Sequence, residues 1–342
     1  MSDEFVINPP FVAIIRQFFY SQFFGTPTYP TKSFAGQTVI VTGSNVGLGL
    51  EAARHVYRLN AAKVILAVRT IKKGEAAKED IVRTVKDRSD GLDAIEVWAL
   101  DLASTESTVA FAERAKSLPR LDAVIENAGI IINGFQTAEG FEQVIQVNVL
   151  NTLLLAMALL PKLKETRQKF SDSLPHLEIV SSDVHYLTKM RELNAPDLYA
   201  KLNDESTFNQ RDRYNISKAL EVLFVRELVA RLGDDTSVVI DLVNPGLCFS
   251  ELDRGYNAPQ RMLMYLFRSL FARTTEVGSR TLVHGAIAGP SSHGEFMCDG
   301  HNQPVAAWIP TDMGKKAQVK VFEQTMKILE ARKPGIGKEA GL

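Results

Sequence analysis

A chain of 342 residues that is 45% hydrophobic and 23% charged has the composition of a globular protein with one large or two small domains. Its net charge of −1 gives no basic footprint for nucleic acid, and its two cysteines, Cys248 and Cys298, form neither a disulfide framework nor a metal spacing. The acidic start at Asp3 and Glu4 is unlike a secretory signal, and the longest apolar run, around Leu153–Leu160, is too short to span a membrane. We therefore expect a cytoplasmic protein without a metal site.

Residues 1–35 are predicted to form an amphipathic extension ahead of the main domain. Within it, "PPFVAIIRQFFYSQFF" (9–24) has helical spacing, with two prolines at its start and Gly25 just beyond its end. Its apolar residues recur at Phe11, Ile14, Ile15, Phe18, Phe19 and Phe23. Such a helix either lies on a membrane surface or docks on the main domain. Because Arg16 is the only basic residue in the stretch, we favour docking near the entrance to a ligand site.

From residue 36 onward, short apolar strands alternate with helices. Strands are predicted at 38–42, 63–68, 95–100, 121–126, 177–182 and 237–243. Helices are predicted between them, at 47–59, 72–86, 104–117, 139–165 and 212–232. This alternation predicts an α/β fold, a doubly wound Rossmann-type parallel sheet of about seven strands with helices on both faces, in a single domain over 36–342. Ligands of such sheets bind beyond the carboxyl ends of the strands.

The segment "TGSNVGLG" (42–49) joins the first predicted strand to the first helix of this domain. Gly43, Gly47 and Gly49 follow a G-x-x-x-G-x-G spacing rather than the general G-x-G-x-x-G fingerprint. Glycines allow a tight turn and close approach of the backbone to a pyrophosphate, and the helix N-terminus then offers free N–H groups to the anion. The candidate phosphate-binding residues are Gly43, Ser44, Asn45, Gly47, Leu48 and Gly49.

The second strand ends in "AVRT", which bears on the choice of dinucleotide. Arg69 lies twenty residues after Gly49, where an acidic residue would hold the ribose 2′-hydroxyl of NAD. A guanidinium pairs instead with a 2′-phosphate, and Lys72 follows closely. The sequence therefore predicts NADP(H) as the cofactor.

In "YNISK" (214–218), a phenol and an ammonium stand four residues apart, at Tyr214 and Lys218. On a helix they share one face, where the ammonium would lower the pKa of the phenol. Alone, such a pair is more often a solvated surface feature than an acid catalyst.

Six motifs in order resolve that ambiguity: "TGSNVGLG", "ENAGI" (126–130), "VNVLNT" (147–152), "IVSSD" (179–183), "YNISK" and "NPG" (244–246). Over roughly residues 36–300 the chain resembles the short-chain dehydrogenase/reductase family. The segment "LAVRTIKKGE" and the long gap between Ser182 and Tyr214 resemble its retinol-dehydrogenase-like branch, and the chain is also similar to fungal members from secondary metabolism.

The resemblance implies four catalytic residues. Tyr214 would exchange a proton with the substrate oxygen, Lys218 would favour the phenolate and bind the nicotinamide ribose, and Ser182 would hold the substrate oxygen. Asn148 would order a water of the proton relay. It also implies cofactor contacts: Asp101 and Leu102 near adenine, Asn127, Ala128 and Gly129 along the adenine ribose, Pro245 and Gly246 against the nicotinamide, and Ser250 near its amide.

Several residues depart from the family pattern or lie beside it. Glu126 replaces the first asparagine of the usual "NNAG", and Asn151 stands where glycine is common. We expect His185 to be a plain pocket-wall residue and Glu221 to lie on a solvated helix face. The amphipathic "RMLMYLFRSLF" (261–271) falls where this family places a substrate lid, here expected around 250–275.

These features predict an NADP(H)-dependent oxidoreductase that interconverts a carbonyl and an alcohol on an apolar, lipid-like or polyketide-like substrate. The alternative is a non-enzymatic dinucleotide sensor or scaffold on the same fold, since fold alone does not determine function. A sensor needs the glycine loop but not the proton relay, so the complete catalytic set favours the enzyme. The resemblance also allows a homodimer.

Overall fold

A computed structural model describes residues 4–88, 91–250, 252 and 258–342 of the chain. Its helices are α1 (Phe11–Phe24), α2 (Gly47–Arg58), α3 (Ile71–Thr84), α4 (Thr105–Lys116), α5 (Thr152–Lys169), α6 (Leu198–Leu202), α7 (Arg213–Leu232), α8 (Ala258–Phe271), α9 (Thr275–Gly285), α10 (Asp312–Arg332) and α11 (Ile336–Ala340). Its strands are β1 (Thr38–Thr42), β2 (Lys63–Val68), β3 (Ile95–Ala99), β4 (Ala123–Glu126), β5 (Thr137–Ala138), β6 (Phe141–Glu142), β7 (His176–Val180), β8 (Val239–Asn244), β9 (Phe296–Cys298) and β10 (His301–Gln303).

Eight strands form one sheet in the order β10-β9-β8-β7-β4-β1-β2-β3, parallel except for β10. The central strands β1, β4 and β7 are buried along their whole length, because helices cover both faces of the sheet. One core lies between the sheet and α2, α3 and α9, and the other between the sheet and α4, α5, α7 and α10. The doubly wound single domain is thus confirmed. It has eight strands rather than about seven, since β9 and β10 are too short to leave a periodic pattern.

The helix predicted over 139–165 is wrong in its first half. The chain there forms the antiparallel β5–β6 hairpin and a π-helical turn at Ile145–Asn151, and the α-helix begins only at Thr152. The Thr152 hydroxyl donates to the carbonyl oxygen of Val147 at 2.9 Å, five residues back. π-Helical turns widen a helix locally and occur often at functional sites. This one contains Asn148.

Contrary to the expectation from the apolar run around Leu153–Leu160, one helical stretch among the described residues, Ile145–Lys169, is long and apolar enough to cross a membrane by length and composition. Of its most apolar 18-residue window, 94% is buried within the domain, where α5 packs against α4 and α11. The stretch is therefore a core helix of this fold.

Candidate active site

The predicted site residues follow strands that all run in one direction. Ser44 follows β1, Arg69 follows β2, Asp101 follows β3, Asn127 follows β4, and Ser182 and Pro245 follow β7 and β8. Because these six strands are parallel neighbours, their carboxyl ends form one edge of the sheet. The fold therefore brings the glycine loop, the predicted catalytic serine and the "NPG" loop to a common edge.

Tyr214 and Lys218 lie on the first turns of α7 and face the same way. The Lys218 Nζ is 5.6 Å from the centre of the Tyr214 ring. Lys218 is 5% exposed, and its Nζ donates to the carbonyl oxygen of Val180, the last residue of β7, at 2.8 Å. That bond fixes the ammonium at the carboxyl edge of the sheet beside the phenol.

Ser182 begins the short 3₁₀ turn Asp183–Tyr186, which packs against α7. Its hydroxyl accepts from the main-chain N–H of Val184 at 3.4 Å and donates to Asp183 Oδ1 at 3.3 Å. Burial raises the pKa of Asp183, although the bond from Ser182 lowers it. The serine is half-buried, so its hydroxyl lies at the border of the site.

Asn148 is buried in the π-helical turn and joins two elements of the site. Its Oδ1 accepts from Ile130 N at 2.9 Å, and its Nδ2 donates to Ile130 O at 3.0 Å and to Ser217 Oγ at 3.3 Å. The side-chain amide thus clamps the loop after β4 to α7. Its predicted part in ordering a relay water stays a prediction.

The glycine loop between β1 and α2 has the shape that a pyrophosphate needs. Gly43 and Gly47 have φ values of +65° and +64°, in the left-handed region that favours glycine. A Cβ on Gly49 would lie 2.5 Å from Asn127 Nδ2, so only glycine fits at this close approach. Asn127 Nδ2 donates to the Thr42 carbonyl oxygen at 3.0 Å, and Ala128 N donates to the Thr42 hydroxyl at 2.9 Å. These bonds hold the "ENAG" loop against the glycine loop.

Two features of the glycine loop would suit a bound anion: a hydroxyl without a partner and an uncapped helix N-terminus. The Ser44 hydroxyl is buried without a hydrogen-bond partner among the described residues. The N-terminus of α2 has no side-chain cap and no acidic residue in its first turn. A helix end of this kind offers N–H donors and a positive dipole end to a phosphate.

Arg69 and Lys72 are both exposed, at the end of β2 and in the first turn of α3. Within the described part of the chain, no hydrogen bond or ion pair engages either side chain.

The predicted adenine contacts lie in the loop after β3. Asp101 is half-buried, and its Oδ1 accepts from Ala103 N at 3.0 Å. The Leu102 carbonyl oxygen accepts from Asn151 Nδ2 at 2.8 Å, so the asparagine that replaces the usual glycine ties the loop after β3 to the π-helical turn.

The N-terminal helix α1 packs against the "NPG" loop. Gly246 has φ +74°, and a Cβ there would lie 2.6 Å from Gln22 Oε1 on α1. Ser250 accepts at its carbonyl oxygen from Arg268 of α8 at 3.0 Å. Of the predicted lid region, residues 251 and 253–257 lie outside the described part. An open groove of about 890 Å³ runs along α1, but none of the predicted catalytic residues lines it.

Two expectations about neighbouring residues are wrong. His185 is fully buried rather than on a pocket wall. Its Nε2 accepts from Ala306 N at 3.2 Å, so Nδ1 carries the proton and donates to Ser182 O at 2.7 Å. Burial lowers the pKa of His185 to about 4.

The second wrong expectation concerns Glu221. It is 1% exposed rather than solvated, and its carboxylate accepts from Lys218 Nζ at 2.8 Å. Sequence reasoning missed Glu221 because α7 is buried on nearly all sides, so a polar residue in it does not indicate a solvated face.

With this geometry established, comparison with known proteins identifies the class. A family model described as short chain dehydrogenase matches residues 37–169. Similar relatives include the short chain dehydrogenase/reductase dmxR8 of Cryptosporiopsis sp. (strain 8999), 45% identical over 93% of this chain and 98% of its own, and the short chain dehydrogenase atnD of Emericella nidulans, 42% identical over 83% and 90%. The chain therefore belongs to the short-chain dehydrogenase/reductase family of oxidoreductases, and its similarity to fungal members is confirmed.

Solved structures agree on the fold. A protein from Mycobacterium paratuberculosis superposes with a TM-score of 0.63 at 25% identity, over 89% of this chain and 98% of its own. A 3-oxoacyl (acyl-carrier-protein) reductase from Agrobacterium tumefaciens C58 with NADP bound superposes with a TM-score of 0.56 at 20% identity, over 78% and 93%. The resemblance to the retinol-dehydrogenase-like branch stays a prediction.

Proposed function

We propose that this protein is an NADP(H)-dependent oxidoreductase that interconverts a carbonyl and an alcohol on an apolar, lipid-like or polyketide-like substrate. The observation that carries the proposal is the buried Lys218 ammonium, 5.6 Å from the Tyr214 ring at the carboxyl edge of the sheet. A binding protein has no need of this pair, so the geometry favours catalysis over a sensor or scaffold.

The chain's own residues divide the work of the reaction. The nicotinamide, when bound, supplies or accepts the hydride. Tyr214 gives its phenol proton to the carbonyl oxygen in reduction and takes the alcohol proton in oxidation. Lys218 favours the phenolate through its charge, and the Ser182 hydroxyl holds the substrate oxygen where negative charge develops.

The residues that would hold the cofactor also favour NADP(H). The glycine loop and the α2 N-terminus, which has no side-chain cap, fit the pyrophosphate. Arg69 and Lys72, which no described residue engages, fit a 2′-phosphate. NADP is named in the Agrobacterium structure above and in a short chain dehydrogenase structure from Shigella flexneri, which is 22% identical with a TM-score of 0.54. At such identity these likenesses show the fold, so the preference rests on the two cationic side chains.

An apolar substrate is favoured by the two helices beside the "NPG" loop. Phe18 of α1 stacks on Phe267 of α8 at 6.3 Å, and Phe19 meets Phe271 edge-on at 5.3 Å. The outer side of α8 exposes Leu263, Tyr265 and Leu270. Within the described residues, this part of the surface offers a substrate mainly apolar contact.

The test is a screen of NADPH consumption over apolar ketones and aldehydes with identification of the product. The Tyr214→Phe variant is the matched control, since it lacks only the phenol oxygen. We expect consumption that depends on substrate and is lost in the variant. Consumption that is equal in both proteins would contradict the proposed mechanism.

A further inference from the structure

The catalytic lysine has a second anchor that the family motif does not contain. One helical turn beyond it, Glu221 accepts from Lys218 Nζ at 2.8 Å, the same distance at which Val180 O accepts from that nitrogen. Glu221 is 1% exposed and Lys218 is 5% exposed, so this is a buried ion pair. A buried pair of this kind is poor evidence for stability, but it fixes geometry and charge.

A second buried carboxyl lies close enough to act on the first. Glu126 ends β4, where the family usually has asparagine, and is 3% exposed. Neither of its carboxyl oxygens has a hydrogen-bond partner among the described residues. In the sheet Glu126 stands opposite Ile179 of β7, the residue before the Val180 carbonyl that holds Lys218. The two acids therefore come from different elements, Glu126 from β4 and Glu221 from α7, and Glu221 is the one bonded to the lysine.

The ionisation of these acids is coupled. Burial is the larger cause, and the charge of Glu221 the smaller one, of a pKa of Glu126 well above its usual range. Burial also raises the pKa of Glu221, to about 7, while Lys218 opposes that rise. The ammonium pairs with Glu221, and the charge of Glu221 disfavours a second charge on Glu126. A single negative charge on the two acids, with the other acid neutral, is therefore favoured.

Among the described residues, Lys218 is the charged group that lowers the pKa of Glu221, and a hydrogen bond from the Ser181 hydroxyl lowers it further. Glu126 is the acid on which the charge of Glu221 acts. Lys218 lies on the same helix as Glu221 and Glu126 on β4, while β7 is followed by Ser181, whose hydroxyl donates to the Lys218 carbonyl oxygen at 3.3 Å. Asp183, half-buried after β7, interacts instead with Asp299 and Arg273.

We propose that Glu221 is a positioning residue for Lys218, and that Glu221 and Glu126 share one proton and so set the charge that Tyr214 experiences. With Glu221 ionised, part of the ammonium charge is cancelled and the phenol keeps its proton to higher pH. With Glu221 neutral, the full ammonium charge favours the phenolate. This inference rests on the proposed function for the importance of Tyr214, but it concerns a property of the free protein.

The test is a spectroscopic titration of Tyr214, measured as the ultraviolet difference between each protein and its Tyr214→Phe counterpart. Glu221→Gln keeps an oxygen that accepts from Lys218 but cannot ionise. We expect it to lower the titration midpoint of Tyr214 by about one pH unit, the size of shift that one nearby charge produces. Glu126→Gln resembles the neutral acid and is the matched control, for which we expect the midpoint of the wild type. An unchanged midpoint in Glu221→Gln would overturn the proposal.

If Glu221→Gln does not fold, an infrared measurement on Glu126 tests the proposal instead. At neutral pH, the wild type minus Glu126→Gln difference spectrum should contain the carbonyl stretch of a protonated carboxylic acid. Its absence would mean that Glu126 does not hold the proton at neutral pH, which would overturn the proposal. Both measurements are made without substrate. A wild type that consumes no NADPH with any carbonyl would therefore contradict the proposed function, and an unshifted midpoint would contradict this inference alone.

Discussion

Gln22 and Leu247, which are 225 residues apart in the chain, bind each other reciprocally. Leu247 N donates to Gln22 Oε1 at 3.1 Å, and Gln22 Nε2 donates to Leu247 O at 3.1 Å and to Phe271 O at 2.7 Å. Gln22 is 9% exposed, so the amide behaves as a buried connector. Through it, α1 is joined both to the "NPG" loop and to the end of α8.

Arg273 strengthens the same junction. Its guanidinium donates to Ser21 O and to Gly25 O of the α1 end and pairs with Asp299 at 2.6 Å. The Ser21 hydroxyl donates to the same carboxylate at 2.7 Å. The N-terminal helix is therefore fixed on the domain by polar bonds as well as by aromatic packing.

We predict that Gln22→Ala weakens NADPH binding and lowers the thermal midpoint, because it removes three hydrogen bonds that hold the "NPG" loop and α8. Leaving buried backbone groups without partners typically costs ~1–3 kcal/mol. Calorimetry and cofactor titration measure the two effects. Val12→Ala is the control, since Val12 lies on the same helix and is 82% exposed. Equal losses in both variants would show that Gln22 has no special part in this junction.

Tyr214→Phe should lower turnover by ~10²–10⁴-fold, the usual contribution of a general acid, while leaving NADPH affinity nearly unchanged. Lys218→Ala should lower both, because the lysine is predicted to bind the ribose as well as to favour the phenolate. Steady-state kinetics and cofactor titration separate the two outcomes. Near-normal turnover in Tyr214→Phe would exclude the tyrosine as proton donor.

Arg69→Ala should weaken NADPH binding and change NADH binding little. The wild type should prefer NADP(H) by at least about tenfold in kcat/KM, equivalent to ~1.4 kcal/mol. Arg83→Ala is a matched control, because Arg83 is an exposed guanidinium at the far end of α3 that pairs with Asp80. Comparable use of NADH and NADPH by the wild type would remove Arg69 from the cofactor site without affecting the interpretation of Tyr214.

The core contains a second pair of acids, Glu178 and Asp241, which stand opposite each other on β7 and β8 and are fully buried. The pKa of Glu178 lies well above its usual range, mainly because of burial and to a lesser extent because of the charge of Asp241. Burial also raises the pKa of Asp241. Since the folded pKa values exceed the unfolded ones, the stabilisation is complete below the unfolded values near ~4 and is lost as the pH rises towards the folded values.

Asp241→Asn should remove part of this dependence, because asparagine resembles the neutral acid. Between about pH 5 and about pH 8, the wild type should lose stability relative to the variant. Denaturant unfolding at several pH values measures the difference, with Asp234→Asn as an exposed control. A wild type that gains stability over the variant with rising pH would mean that the pair is ionised in the folded protein.

Docking through Gln22 leaves Phe11, Val12, Tyr20 and Phe24 exposed on the outer side of α1. With Arg16 as its only basic residue, the helix has little attraction for anionic lipid. We therefore expect neither the full-length protein nor a chain that starts at Thr31 to float with liposomes. Strong flotation of the full-length form alone would show that α1 contacts a bilayer.

The sequence by itself determined the sheet and the order of the site residues along the chain. Strands covered on both faces are mostly apolar, so β1 and β2 stand out as nearly continuous apolar runs. The glycines of "TGSNVGLG" reflect a backbone that favours glycine. The motif residues then fall at strand ends because the polypeptide alternates regularly between strand and helix.

The tertiary structure alone decided which polar groups meet. Nothing near Glu221 indicates that its helix is buried on nearly all sides, and nothing near Gln22 indicates Leu247 as its partner. The π-helical turn around Asn148 and the short strands β9 and β10 also depend on contacts with distant segments rather than on local periodicity. Local patterns record whether a residue faces the core, whereas hydrogen bonds and ion pairs between remote segments exist only once the chain has folded.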